Sequence, residues 1–201
     1  MAHDQVMVAG LPEAARGDGK CWLASPDGGV SAVAGPATDL YLDPTGDAAA
    51  LNAPQLLFSA PGDFQLSARV TVDFQATYDA GGLIVWADER RWAKLCFEFS
   101  PDDEPMIVSV VTRGTSDDAN SIVLDGRTTW LRVCRLGPAY AFHTSTDGRR
   151  WSLIRVFTLG DDDLPTQVGF LAQSPTGGGC EVAFDDVRFR PERLADLRSG
   201  D

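Results

Sequence analysis

Apolar and polar residues alternate along most of the chain. In RWAKLCFEFS, residues 91 to 100, Arg91, Ala93, Leu95, Phe97 and Phe99 share one parity. Trp92, Lys94, Cys96, Glu98 and Ser100 share the other. A period of two belongs to a β-strand, whose successive side chains point to opposite faces. Similar strand patterns occur in CWLAS, GVSAVAG, TDLYL, QLLFSA, DFQLSARVTVDFQ, GGLIVWAD, MIVSVVTRG, SIVLDG, WLRVCRL, YAFHTST, WSLIRVFTL, QVGFLAQ and CEVAFDDVRFRP. Between them lie the breakers SPDGG, YDAGG, SPDDEP, TSTDGRR, GDDDLP and SPTGGG, rich in residues that suit turns. Two hairpins are marked, one turning at Asp88 to Arg91 and one at Asp147-Gly148, a pair suited to positive φ. Helical periodicity is scarce, and only PERLADLRS reads as a short helix or frayed end. About fourteen strands without helices between them predict an all-β protein of two stacked antiparallel sheets, a sandwich or jelly roll.

Composition narrows the function classes. A chain of 201 residues suits one large β domain, and we read residues 1–201 as a single unit with no repeat and no linker. Hydrophobic residues at 44% supply a core. The net charge of -12 argues against nucleic acid, whose affinity rests on Lys and Arg neutralising phosphates, and against anionic membrane surfaces. It fits a neutral sugar, a cation, a basic partner or simple solubility. The N-terminus lacks a basic start followed by an apolar run, so a secretory signal is not expected. No apolar stretch reaches the roughly 20 residues of a membrane helix. Cys21, Cys96, Cys134 and Cys180 are widely spaced, without a C-x-x-C pair or zinc spacing. The expectation is a cytoplasmic protein whose cysteines are reduced, buried fillers.

Candidate chemistry concentrates on the second parity of residues 91 to 100. Leu95, Phe97 and Phe99 would fill the space between sheets, leaving Trp92, Lys94 and Glu98 on the other face. A tryptophan beside charged hydrogen-bonding groups suits a sugar ring, which stacks its C–H side and offers its hydroxyls. The bland alternative is a solvated face with a weak surface ion pair. GGLIVWAD adds Trp86, and VVTRGTSDDAN holds Arg113, Ser116, Asp117 and Asp118 at an expected strand end, where loops carry function. Arg132 and His143 stand opposite the apolar parity of their strands. A lone strand histidine is more often a structural hydrogen-bonder than a base, and His3 is the only other histidine.

Metal and catalytic templates mostly fail. Adjacent Asp185 and Asp186 would point to opposite strand faces, and one could help bind a structural calcium. The acidic segments at 101–104 and 160–165 read as turns. Nucleophile-elbow, phosphate-loop, H-E-x-x-H and EF-hand patterns are absent. A glycosidase would need two carboxylates about 5–10 Å apart, and Glu98 with Asp117 or Asp39 are the candidates.

The stretch from Gly81 to Phe189 resembles a known family. GGLIVWADERRWAKLCFEF, SVVTRGTSDDAN, TTWLRVCRLGPAYAFHTSTDGRRWSLIRVF and VGFLAQSPTGGGCEVAFDDVRF look like the domain-of-unknown-function 1349 family, also labelled "regulation of enolase"-like. The upstream DLYLDP is similar to its early aspartate-aromatic segment, so the family-like core runs over about 38–190. The resemblance implies a concanavalin A-like lectin/glucanase jelly roll, similar to β-sandwich modules attached to some family 43 glycosidases. A family pattern W-x-K-x-x-x-E falls on Trp92, Lys94 and Glu98. An SDW-like segment falls on Ser116 and Asp117, but Asp118 stands where an aromatic is expected, which argues against stacking there. The pattern S-x-D-G-x-x-W falls on Ser145, Asp147, Gly148 and Trp151, which read as turn and packing residues.

The resulting expectation is a non-catalytic domain whose concave sheet presents Trp86, Trp92, Lys94, Glu98, Arg113, Ser116, Asp117, Arg132 and His143 to a carbohydrate or similar polyhydroxylated ligand. Lys94→Ala and Glu98→Gln would then abolish binding without large loss of stability. Alternatives are a protein-interaction adaptor, as the enolase label implies, and a glycosidase-like enzyme using Glu98 and an aspartate. A monomer and a dimer paired through exposed edge strands are both compatible with the sequence.

Overall fold

The computed structural model describes residues 4–17, 20–160 and 164–200. His3 and Asp161 to Asp163 of the acidic 160–165 segment lie outside these. The described residues form seventeen strands, β1 to β17 in chain order, and no helix. The eight-stranded sheet runs β1 (Asp4–Val6), β2 (Ala15–Gly17), β7 (Gln55–Ser59), β16 (Gln167–Gln173), β9 (Ala80–Asp88), β10 (Arg91–Phe99), β11 (Pro105–Arg113) and β12 (Thr115–Val123). The seven-stranded sheet runs β15 (Ser152–Thr158), β14 (Ala139–Ser145), β13 (Thr128–Leu136), β8 (Phe64–Asp73), β17 (Cys180–Arg190), β4 (Val30–Ala34) and β3 (Trp22–Ala24). A small hairpin, β5 (Leu40–Leu42) and β6 (Ala49–Leu51), lies outside both. Pairing between these strands is antiparallel throughout.

The main core joins one parity from each sheet. Ala93, Leu95 and Phe97 of β10 meet Leu66, Ala68 and Val70 of β8 and Leu131 and Val133 of β13 in one buried cluster. Each fully buried Leu or Phe contributes roughly 2–3 kcal/mol of transfer free energy. The sheets approach closely at Gly81, where a Cβ would run into Val182 and Val70 of the facing sheet.

Each sheet also has an outer face, and both are partly covered. On the eight-stranded sheet, Trp92, Cys96, Ile84, Val108 and Val110 form a second buried cluster with Leu40 and Ala53, from the segment around the β5–β6 hairpin. On the seven-stranded sheet, Cys134, Leu136 and Ala141 are covered by Leu194 and Leu197. The segment PERLADLRS is therefore a turn-rich strap rather than a helix. Asp196 holds its last turn by accepting the backbone N–H groups of Arg198 and Ser199.

Both predicted hairpins form. β9 and β10 turn at Glu89-Arg90, and β14 and β15 turn through Asp147 and Gly148, with Gly148 at φ 69°. Three short strands, β1, β2 and β6, are not marked by the sequence pattern. The sequence pattern puts Ser116 to Asp118 at a strand end, beside a loop. They lie inside β12, because Gly114 at φ 86° turns the chain tightly between β11 and β12.

Candidate functional site

Cross-strand register sorts the outer face of the eight-stranded sheet into rows. One row aligns Trp86, Trp92, Thr112 and Ser116. The next aligns Gly169, Ile84, Lys94, Val110 and Asp118. A third aligns Gln173, Ala80, Glu98 and Met106. Because strand side chains keep their face every second residue, Lys94 and Glu98 of β10, Asp118 of β12 and Gln173 of β16 come to one surface from three strands.

These residues line a cavity of about 420 Å³, together with Asp39, Tyr41, Tyr78 and Met106. Lys94 Nζ donates to Gln173 Oε1 at 2.7 Å and to Asp39 Oδ1 at 3.3 Å. Gln173 Nε2 donates to the Tyr78 carbonyl at 3.2 Å and lies 3.5 Å from Glu98 Oε2. A linked polar set thus forms the cavity floor, flanked by two tyrosine side chains.

Lys94 is only 2% exposed. Burial disfavours its charge, but the acidic groups around it outweigh that and raise its pKa. Burial pushes the Glu98 carboxyl up to about 8, with Asp118 and Asp39 adding to the rise and Lys94 opposing it. Burial likewise raises Asp118, again against Lys94. The cavity therefore holds a buried ammonium, a carboxyl that carries a proton near neutral pH and further acidic groups. Such a set donates and accepts hydrogen bonds in several directions at once.

The other expected site residues separate. Trp92 is fully buried and offers no face to a ligand, because the β5–β6 segment covers it. Trp86 packs partly buried against the same cluster. Ser116 is buried and structural: its Oγ accepts the Leu42 N–H at 2.9 Å and bonds Thr112 Oγ1, fixing β5 to the sheet. Asp117 has the opposite parity to Asp118 and pairs with Arg155 of β15 at 2.8 Å. Arg113 lies at the far end of the β11–β12 hairpin, beside Gly114 and Asp88.

Arg132 and His143 belong to the other sheet. His143 Nε2 donates to the Leu197 carbonyl at 2.8 Å, and burial lowers its pKa to about 4, so it is neutral and holds the C-terminal strap. Arg132 donates to the Gly200 carbonyl and stacks over Trp151. Their strands are neighbours in sequence to the β9–β12 set, but the sheet order places them across the core.

The aspartate pair on β17 also differs from expectation. Both carboxylates reach the outer face of the seven-stranded sheet, because a bulge between Asp185 and Arg188 places Asp186 at φ 46°. Arg69 bonds both oxygens of Asp185, while Asp186 takes Arg188 and the Trp130 indole N–H. With arginine partners already in place, the pair offers no open ligand set for calcium. Among the described residues no group of three or more His, Cys, Asp or Glu is arranged to hold a metal ion. Cys96, Cys134 and Cys180 are buried thiols, and burial raises the pKa of each.

Sequence reading found Lys94 and Glu98 but missed Tyr41, Tyr78, Asp118 and Gln173 as lining groups. The signal for Asp118 was present in the β11–β12 hairpin, since counting back from Gly114 pairs it with Val110 and so with Lys94.

Two antiparallel sheets packed over one core, with a polar cavity on the outer face of one of them, define a jelly-roll β-sandwich. The family "Protein of unknown function (DUF1349)" matches residues 19–192, and the chain belongs to it. It is 32% identical over 126 residues to "Regulation of enolase protein 1" of Saccharomyces cerevisiae, covering 61% of this chain and 62% of that protein. The match thus spans less than two thirds of the relative's length. Among solved structures, a functionally unknown protein from Saccharomyces cerevisiae superposes with a TM-score of 0.75 at 26% identity, covering 84% of this chain and 94% of that one. The GH43 BlXynB protein from Bacillus licheniformis superposes with a TM-score of 0.71 at 16% identity, over 89% of this chain and 37% of that one, a likeness of fold alone. No helix among the described residues is long and apolar enough to cross a membrane.

Proposed function

We propose that the chain is a non-catalytic binding domain for a small polyhydroxylated ligand, of the carbohydrate class, seated in the cavity of Lys94, Glu98, Asp118 and Gln173. The observation that carries this reading is the linked polar floor. Lys94, Gln173 and Glu98 are held on rigid strands and bonded to one another, so little side-chain entropy remains to be lost on binding. Hydroxyl groups both donate and accept, and they match a floor mixing an ammonium, an amide and carboxyl groups. Tyr41 and Tyr78 supply the aromatic surface that Trp92 does not. The volume lies in the range of small-ligand sites. Three buried thiols fit a reducing compartment, so the ligand would be a cytoplasmic one.

The test is calorimetric titration of the protein with a panel of mono- and oligosaccharides. Binding by one sugar, weakened at least about tenfold in Asp118→Asn and Tyr78→Ala, supports the site. A sugar that binds both variants as tightly as the parent protein places the site elsewhere. Silence across the panel moves the reading to a protein partner, in line with the name of the yeast relative.

One observation favours a second reading. Glu98 retains a proton near neutral pH, the property a general acid needs, and Asp39 lines the same cavity. Asp117, the other expected partner, faces Arg155 instead. Hydrolysis of an aryl glycoside that disappears in Glu98→Gln would establish this enzymatic reading.

A further inference from the structure

The outer face of the seven-stranded sheet carries a second cavity of about 420 Å³, across the core from the first. Five arginines line it: Arg132, Arg149, Arg188, Arg190 and Arg193. Only 17 lysines and arginines occur in the whole chain, whose net charge is -12. Nearly a third of the scarce cations therefore converge on one hollow, against two lining carboxylates, Asp186 and Glu192. Gathering like charges costs Coulomb energy, and an anion in their midst offsets it.

The carboxylates nearby hold two of these arginines, Arg190 and Arg193, only loosely. Asp186 takes Arg188 at 2.8 Å, but Arg190–Glu192 and Arg193–Asp63 are loose, exposed contacts at 3.7 Å. Arg149 makes no ion pair with a described carboxylate; in its turn Asp147 accepts the backbone N–H groups of Arg149 and Arg150 and the Ser145 hydroxyl. Exposed pairs at such distances are worth little.

The cavity is also built on fixed groups. Arg132 is 5% exposed, donates to the Gly200 carbonyl at 2.8 Å and lies 4.3 Å from the Trp151 ring centroid. Trp130 is pinned by its indole bond to Asp186 and by Gly148, where a Cβ would press on the Trp130 ring. The bulge that sends Asp186 and Arg188 to this face opens the strand beside them.

We propose that this cavity binds a compact multivalent anion of the phosphate-ester class. One guanidinium fork satisfies a carboxylate, whereas a phosphate monoester presents three terminal oxygens that share up to two negative charges and takes several forks. The volume admits a phosphorylated molecule of sugar size. A long polyanion is disfavoured, because it would track across the acidic remainder of the surface, beyond the roughly 8 Å over which the arginines act at physiological salt. The site is separate from the carbohydrate cavity and stands whether or not that cavity binds a sugar.

The test uses the full chain in thermal unfolding and calorimetry with inorganic pyrophosphate, glucose 6-phosphate, citrate and glucose, at ionic strength matched with sodium chloride. Pyrophosphate and glucose 6-phosphate should raise the Tm by about 5 °C at saturation, while glucose leaves it unmoved. The double variant Arg149→Gln/Arg190→Gln, altered at exposed positions, should keep its own Tm and bind both phosphates at least about tenfold more weakly. A rise no larger than that given by sodium chloride overturns the proposal, as does undiminished phosphate binding by the variant. Citrate binding as tightly as glucose 6-phosphate would overturn the assignment to phosphate esters.

Discussion

Replacing Glu98 by glutamine should change how stability depends on pH. The side chain lies beside Gln173 in the first cavity, where burial, with Asp118 and Asp39 adding to it, places its pKa at about 8 against an ordinary 4.5. A carboxyl whose folded pKa is raised binds its proton more tightly in the native state than in the unfolded chain. The native state therefore loses stability as pH rises, starting near 4.5, where the unfolded chain ionises, and ending above about 8. At about 1.4 kcal/mol per pH unit, the full gap amounts to on the order of 5 kcal/mol. Glu98 keeps some contact with solvent and Lys94 answers its ionisation, so we expect about 2–4 kcal/mol. Glutamine matches the neutral acid in shape and does not titrate.

The assay is urea unfolding of both proteins from pH 5 to pH 8.5. The stability of Glu98→Gln minus that of the parent should be near zero at pH 5 and should rise by about 2–4 kcal/mol by pH 8.5. His143, lowered to about 4 by burial, costs both proteins stability as pH falls below 6.5, and this cancels in the difference. A difference that stays flat across the range would refute the placement of Glu98 in a buried, acidic environment.

Two further substitutions probe the same architecture. Lys94→Met keeps the aliphatic stem but removes the ammonium bonded to Gln173 and Asp39, and should cost roughly 2–4 kcal/mol in urea unfolding at pH 7. The burial of Lys94 argues against the expectation that it can be altered without large loss of stability, and an unchanged midpoint would contradict that burial. Gly81→Ala places a methyl group against Val182 and Val70 and should cost at least about 1–3 kcal/mol, read as a lowered Tm; a neutral result would mean the sheets are not in close contact there.

Much of the fold was legible because alternation is a local property. The strand period and the inner parity of β10 follow from Ala93, Leu95 and Phe97 alone, and the turns follow from Asp147-Gly148 and from the Asp88 to Arg91 segment. Lys94 and Glu98 were found for the same reason, as polar groups opposite an apolar row. Trp92 shares their parity yet is buried, because the segment carrying Leu40 folds back over it from about fifty residues earlier in the chain.

Other differences have the same origin. Asp118 rather than Asp117 reaches the cavity because hairpin register sets which residue stands beside Lys94. Arg132 and His143 face away because sheet order, not sequence order, assigns their strands. By itself the sequence determined the all-β class, the strands and the residues turned toward the core, since backbone geometry fixes the two-residue period. Only the tertiary structure decided which outer faces are covered and which polar groups meet. Those choices depend on pairing and packing between segments far apart in the chain, which a local pattern does not encode.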